Sequence, residues 1–248
     1  ASLWVDGMRI YEASNVGMRI VSGAIHAPAK LEILNADEDA WLKDHCPTWT
    51  VPALPLMSMV DRIAESGSQE GRVVMGLRNV KVNRWLSIEG DTEIHNELKG
   101  TGHEIDVALS NEDGAIASGK VLLGMNWSSG PAPWKAIDAP ESANPYETGA
   151  LFHGPAFQIL KSLRMGESGS SAVLDAGGGN VPLGTLNQLL LDGATHAIPH
   201  DNLNQWCADI PNDHVAYPIM ITEMSVHGPT PDSGDVRCEV RFDGFFGG

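Results

Sequence analysis

The sequence predicts an α+β protein in which one helix lies along a curved antiparallel sheet, with this arrangement occurring twice. Three observations carry the reading. Short segments of near-alternating polarity, separated by Gly, Asn and Asp turns, dominate both ends of the chain, as half-buried antiparallel strands require. One helical stripe interrupts each series. Between the two series, residues 128–148, "SSGPAPWKAIDAPESANPYET", are rich in Pro, Ser and Ala and show no period.

The first series opens with "MRIVSGAIHAPAKLEIL", whose apolar positions come close to alternation. In "PALPLMSMVDRIAES", Leu56, Met59, Val60 and Ile63 fall at helical spacing, and Pro55 sits in the first turn, where its missing N–H costs nothing. "GRVVMGLRNVKVNRWL", "TEIHNEL", "HEIDVALS" and "IASGKVLLGMNW" follow as strands. "NEDG" between the last two is a hairpin signal.

After the linker, "HGPAFQILKSLRMG" and "SSAVLDA" read as strands. "VPLGTLNQLLLDGATHAI" reads as a helix, with Leu183, Leu186, Leu190, Ala194 and Ala197 along one stripe. "YPIMITEMSVHG" and "VRCEVRFDG" are further strands. The second series is a strand or two short. The tail "FDGFFGG" stops where more sheet is wanted, so a truncated or disordered end is expected, and the initial Ala suggests an excerpt from a longer polypeptide. A helix buried along a curved antiparallel sheet is the hot-dog architecture. Two copies make a double hot dog, with two long helices, an N-terminal half at 1–127, a linker at 128–148 and a C-terminal half at 149–248.

Composition narrows the function. Sixteen Lys and Arg against 32 Asp and Glu give a net charge of −16, which excludes a nucleic-acid surface built on clustered cations. Lys161 and Arg164 are the nearest approach to a basic patch. Hydrophobic residues at 42% allow a sizeable core, yet no run reaches the ~18–20 apolar residues of a membrane span. Cys46, Cys207 and Cys238 are odd in number and form no CxxC. They read as reduced thiols of a cytoplasmic protein.

Three stretches carry chemistry. His45, in "DHCPTWTVPALP", precedes the first helix, where the prolines force an extended approach that can point it across the helix. "FHGPAFQ" is a rigid turn before a strand, with Phe157 and Gln158 on opposite sheet faces. In "LLLDGATHAIPH", Gln188, Asp192 and His196 are four apart and share a helix face. The neighbouring leucines form apolar walls, which raise a carboxylate's pKa and let it stay protonated as a proton donor. The alternative is a solvated face that Asp192 merely decorates. A metal face of Asp192, His196 and His200 is set aside, because Pro199 ends the helix before His200 and no HExxH occurs. No GxSxG is present, and "GESGSS" and "AGGGN" lack the Lys-Ser/Thr of a phosphate loop.

Taken together, these stretches resemble the dehydratase domains of polyketide synthases and of polyunsaturated fatty acid synthases, over most of the chain. His45 falls on the family's H-x3-G-x4-P motif, Gly154 to Phe157 on its Gly-Pro-x-Phe segment, and Asp192 with His196 on its D-x3-Q/H motif. The chain departs from the pattern in three places. Trp49 stands where the family has Gly, the motif proline falls one place late at Pro55, and His153 replaces the Tyr usual before Gly-Pro.

The resemblance implies removal of water from a β-hydroxyacyl thioester held on the phosphopantetheine of an acyl carrier protein, without a cofactor or metal. Neutral His45 would take the α-proton, and protonated Asp192 would give one to the β-hydroxyl. His196 or Gln188 would orient Asp192. A backbone N–H near Gly154–Pro155 would polarise the thioester carbonyl. His153, Phe157 and Pro55 would contact substrate. The resemblance also implies other synthase domains as partners and a homodimer. Two rivals remain: a hot-dog thioesterase, which would not need His45, and a catalytically silent docking domain.

Overall fold

Antiparallel pairing joins the strands of the described residues into one sheet of eleven. The structure is a computed structural model that describes residues 2–5, 7–14, 30–47, 51–100, 102–211 and 214–244. Most of the first predicted strand, Trp49 and the last four residues lie outside the described residues.

The strands are β1 (Ser2–Val5), β2 (Met8–Ser14), β3 (Lys30–Leu34), β4 (Val73–Val82), β5 (Thr92–Lys99), β6 (Glu104–Asn111), β7 (Gly114–Gly124), β8 (Leu160–Gly166), β9 (Gly169–Asp175), β10 (Met220–Val226) and β11 (Asp235–Arg241). Their order across the sheet is β3-β5-β6-β7-β4-β10-β2-β1-β11-β9-β8. The "NEDG" turn closes β6 onto β7, with Asn111 opposite Gly114. Gly114 takes φ +109° there, a value costly for any residue with a Cβ.

Two features answer the shortfall in the second series. β4 pairs with β10, for example Leu77 opposite Met224, and so joins the two sets of strands edge to edge. The N-terminal hairpin then fills the second set: β2 pairs with β10, and β1 pairs with β11. The strands missing from the C-terminal sequence are therefore supplied by residues 2–14.

The first helix, α1 (Leu56–Gly67), matches its stripe. Leu56, Met59, Val60, Ile63 and Ala64 are buried, and the helix packs on β6 and β7. Each of the four larger side chains contributes about 1.5–3 kcal/mol of burial, as an upper range.

The second is much shorter than the stripe over residues 181–198 predicts. It forms only α3 (Gln188–Thr195), after a four-residue helix α2 (Pro145–Thr148) inside the expected linker. Pro182 and Gly184 favour a non-helical lead-in, in which Leu183 is 60% exposed rather than on the buried stripe. The Asn187 side chain accepts the Leu190 N–H at 3.1 Å and caps the helix start. The His196 N–H turns back to the Gly193 carbonyl and ends it.

α1 and α3 pack together. Where they meet, the buried Asp61 carboxylate accepts the Leu186 N–H at 2.6 Å. Burial pushes the Asp61 carboxyl up to about 6, against the pull of that hydrogen bond. No helix among the described residues is long and apolar enough to cross a membrane.

Candidate active site

The segment "HGPAF" does not begin a strand. Pro155–Phe157 form a 3₁₀ turn, and β8 starts only at Leu160. Phe157 is buried and Gln158 exposed for that reason, rather than by alternation across a sheet. A residue that sequence reasoning passed over holds the turn. Asp44 ends the 3₁₀ turn Ala40–Asp44, immediately before His45. Its backbone carbonyl accepts the Gly154 N–H at 2.8 Å, and its carboxylate accepts the Ala156 N–H at 2.7 Å. Asp44 thereby ties the loop that carries His45 to the segment that carries His153.

Gly154 is needed for this contact, since a Cβ there would fall on the Asp44 carboxylate. Gly154→Ala should lower stability by ~1–3 kcal/mol through overpacking, read as a fall in the urea midpoint. An unchanged midpoint would show that Asp44 can move aside freely.

His45 is buried, and its Nδ1–H donates to the Ala53 carbonyl at 2.7 Å. The Ala53 N–H returns to the His45 carbonyl at 3.0 Å. This leaves the Nε2 lone pair of His45 as the free site of the ring. Asp192 projects from α3. One nitrogen or oxygen atom each of His45, His153 and Asp192 lie within 4.8 Å of one another, and all three residues are buried. The structure thus brings the side chains of His45 and Asp192 together, with His153 beside them.

His196 reaches Asp192 Oδ2 with Nε2 at 3.1 Å, while its Nδ1 meets the Tyr146 hydroxyl at 2.7 Å. Tyr146 stands on α2, within the stretch read as linker. The only local signal for it was Asn144-Pro145, a helix-start pair in a segment without a period.

Several expectations change. Gln188 does not reach Asp192, because its amide Nε2 donates to the Pro182 carbonyl at 2.6 Å, back along the lead-in to α3. The Gly154 N–H is used by Asp44 and Pro155 has none, so this pair offers no free donor to a thioester carbonyl. Pro55 caps α1 through its carbonyl, which accepts the Met59 N–H. Phe157 lies beneath the site with its ring centre 5.6 Å from that of His45. His200 was expected to leave the site beyond Pro199. Instead the chain folds back after α3, His200 Nε2–H donates to the Thr195 carbonyl at 2.8 Å, and the residue lines the same cavity as Asp192.

That cavity has a volume of about 60 Å³ and is walled chiefly by Leu54, Leu56, Met59, Phe152 and Ile219. At one side Trp85 and Tyr217 meet edge to face, with ring centres 5.0 Å apart, and both remain partly exposed.

The electrostatics reverse one prediction. Burial does raise the Asp192 pKa, as the leucine walls suggested. The His196 hydrogen bond and the fields of His153 and His45 outweigh it and bring the carboxyl down to about 2. Burial lowers His45 below its ordinary value of 6.5, only partly opposed by Asp192. Burial and the neighbouring His196 bring His153 down to about 2. At neutral pH the site therefore holds a carboxylate facing neutral His45 and His153.

A pH dependence follows. Between pH 6.5 and about 2, the unfolded chain binds a proton at residue 153 that the folded chain refuses. Stability should fall as pH drops below 6.5, by about 1.4 kcal/mol per pH unit for each such proton. His45 and His200, also lowered by burial, act in the same direction. Asp192 adds a loss between its ordinary 3.8 and about 2, while Asp61, raised to about 6, opposes the trend between 6 and 3.8. Urea unfolding at pH 7 and pH 5 measures the balance. Equal stability at the two would contradict the burial of neutral imidazoles.

No family model and no curated protein matches the chain. Solved structures do. The dehydratase domain from the CurH module of curacin polyketide synthase superposes with TM-score 0.62 at 15% identity, covering 86% of this chain and 78% of that one. The CurF dehydratase domain gives 0.63 at 13% identity, covering 90% and 85%. The CurK dehydratase domain gives 0.64 at 16% identity, covering 86% and 81%. Two further CurK structures are named as inactive mutants, one with histidine replaced by phenylalanine and one with aspartate replaced by asparagine. The chain therefore has the hot-dog fold of polyketide synthase dehydratase domains.

Proposed function

We propose that the chain is a dehydratase that removes water from a β-hydroxyacyl thioester to give an α,β-unsaturated acyl chain. The observation that carries this reading is the pairing of His45 and Asp192, buried and facing each other over one apolar cavity. Acid–base groups so placed typically contribute ~10²–10⁴-fold each. Read as two halves, residues 1–127 bring the histidine and residues 149–248 the aspartate, joined by 128–148, with residues 2–14 lent to the second half's sheet.

The ionisation of the site shapes the mechanism. Dehydration consumes no net proton: one leaves the α-carbon, and one departs with the hydroxyl as water. Asp192 begins as a carboxylate, so the proton for the hydroxyl is the one that His45 takes. His45 Nε2 removes the α-proton, and the imidazolium formed lies beside the Asp192 carboxylate. The proton passes to Asp192 and then to the β-hydroxyl as the C–O bond breaks and the C=C bond forms. His196 and Tyr146 hold the Asp192 carboxylate in place for both transfers.

The acyl chain would arrive on the phosphopantetheine of an acyl carrier protein within a larger synthase, where a second copy of the chain and other synthase domains are the expected partners. The likeness to polyketide synthase domains supports this setting. The mechanism requires no metal or cofactor.

Incubation with 3-hydroxyacyl thioesters of graded length, on a carrier protein or a simple thiol, tests the reading by mass. Wild type should lose water from the substrate, and His45→Ala should not. Release of free acid that survives His45→Ala would instead identify a thioesterase. No turnover at any length would leave a silent docking domain.

A further inference from the structure

We propose that His45, His153 and Asp192 form a binding site for one divalent transition metal of the zinc type. The donors suit it: two imidazoles and one carboxylate are a common zinc set, with the fourth position left to water.

The geometry is close to what such an ion needs. Zinc bonds of ~2.0–2.1 Å in a tetrahedral site put neighbouring ligand atoms about 3.3 Å apart. His153 Nε2 and Asp192 Oδ2 are already 3.5 Å apart. The trio as a whole spans no more than 4.8 Å, so closure needs side-chain movements on the order of 1 Å. The cavity beside them, about 60 Å³, leaves room for the water ligand.

The surroundings orient two of the three donors as outer partners of a metal site do. The Ala53 carbonyl takes the His45 Nδ1–H and so presents Nε2. His196, itself held by Tyr146, fixes the carboxylate of Asp192. The carboxylate offsets part of the ion's charge in this buried setting.

This trio differs from the Asp192, His196 and His200 face considered from spacing. His200 Nε2–H is bound to the Thr195 carbonyl, and His196 is engaged at both ring nitrogens. The residue that makes the site is His153, at the place where the resemblance expects a tyrosine, which carries no ring nitrogen. An ion here would occupy the lone pair of His45 that takes the α-proton. Metal occupancy and elimination would then exclude each other, although the metal site itself does not depend on the dehydratase reading.

The test uses the untagged chain, stripped of metal and titrated with Co²⁺, with visible ligand-field absorption as the readout and Zn²⁺ calorimetry beside it. One equivalent should bind with a four-coordinate spectrum. His153→Phe keeps a ring beside Phe152, whose centre lies 4.1 Å from that of His153. It should weaken binding by at least about 10-fold, the lower range for losing even an outer partner of a ligand. Asp192→Asn should do the same, and either variant serves if the other fails to fold by circular dichroism. His200→Ala should bind as wild type does. Absence of a stoichiometric Co²⁺ spectrum in wild type overturns the proposal on its own. So does binding that survives in a folded ligand variant, or that is lost in His200→Ala and retained in His153→Phe. No substrate is used, so a failure of the dehydratase reading would leave this result unchanged.

Discussion

Asp192→Asn should lower kcat/KM for a β-hydroxyacyl thioester by about 10²–10⁴-fold, the range expected for one acid–base group. Asparagine matches the shape of the carboxylate, and its amide oxygen can still accept from His196 Nε2 at the 3.1 Å separation seen for Asp192. What it cannot do is receive a proton from His45 and pass it on. The loss should therefore appear chiefly in turnover with the fold kept, while thermal melts at pH 7 fall modestly, because the charged Asp192 carboxylate stabilises the folded state there. Among the described residues, the same change removes the only carboxylate facing the buried imidazoles of His45 and His153. Both lose an influence that raises their pKa, so neither becomes charged in its place. Steady-state kinetics on a short thioester settles the matter, and a variant within about threefold of wild type would remove Asp192 from the chemistry.

Phe157→Ala should destabilise the protein by ~3–5 kcal/mol, the usual range for deleting a fully buried aromatic ring. Phe157 is only 1% exposed. Its ring centre lies 6.1 Å from that of Trp41, 5.6 Å from His45 and 5.8 Å from His153, so it fills the space beneath three site elements at once. The cavity left behind would also free His45 and His153 to shift. Activity should fall along with stability, and the loss of stability should exceed that of Asp192→Asn. Equilibrium unfolding in urea is the measurement, and a change below about 1 kcal/mol would mean that the neighbouring rings collapse into the gap.

How far the sequence could be read depended on whether the determining contact was local. The α1 stripe of Leu56, Met59, Val60 and Ile63 is set by spacing within one helix and appeared as expected. His45 and Asp192, the residues proposed for the chemistry, were singled out through short motifs, each carried by a few adjacent residues. The residues that position them were not legible, because their partners are far away in the chain. Asp44 acts on Gly154 and Ala156, 110 and 112 positions later, and Tyr146 on His196, 50 positions later.

The pKa of Asp192 shows the same limit. Its leucine neighbours on α3 correctly predicted a desolvated carboxyl, but the hydrogen bond of His196, together with the imidazole of His153 that the chain fold brings in, turned the sign. The second helix was overdrawn for a different reason. A hydrophobic stripe records burial, and Leu186 and Ala197 are buried beside α3 without being helical.

The placing of residues 2–14 has a consequence for how the molecule comes to be. A ribosome releases this hairpin before the rest of the described sheet, yet its neighbours β10 and β11 emerge more than 200 residues later. Until then the hairpin has no lasting place in the sheet, and the strands that will flank it do not exist. Synthesis cannot complete one half and then the other. Contacts of residues 2–14 with β10 and β11 close the longest loops of the described sheet, which makes them entropically expensive. Any chaperone or neighbouring domain that holds the first 14 residues aside would keep the sheet open between β10 and β11.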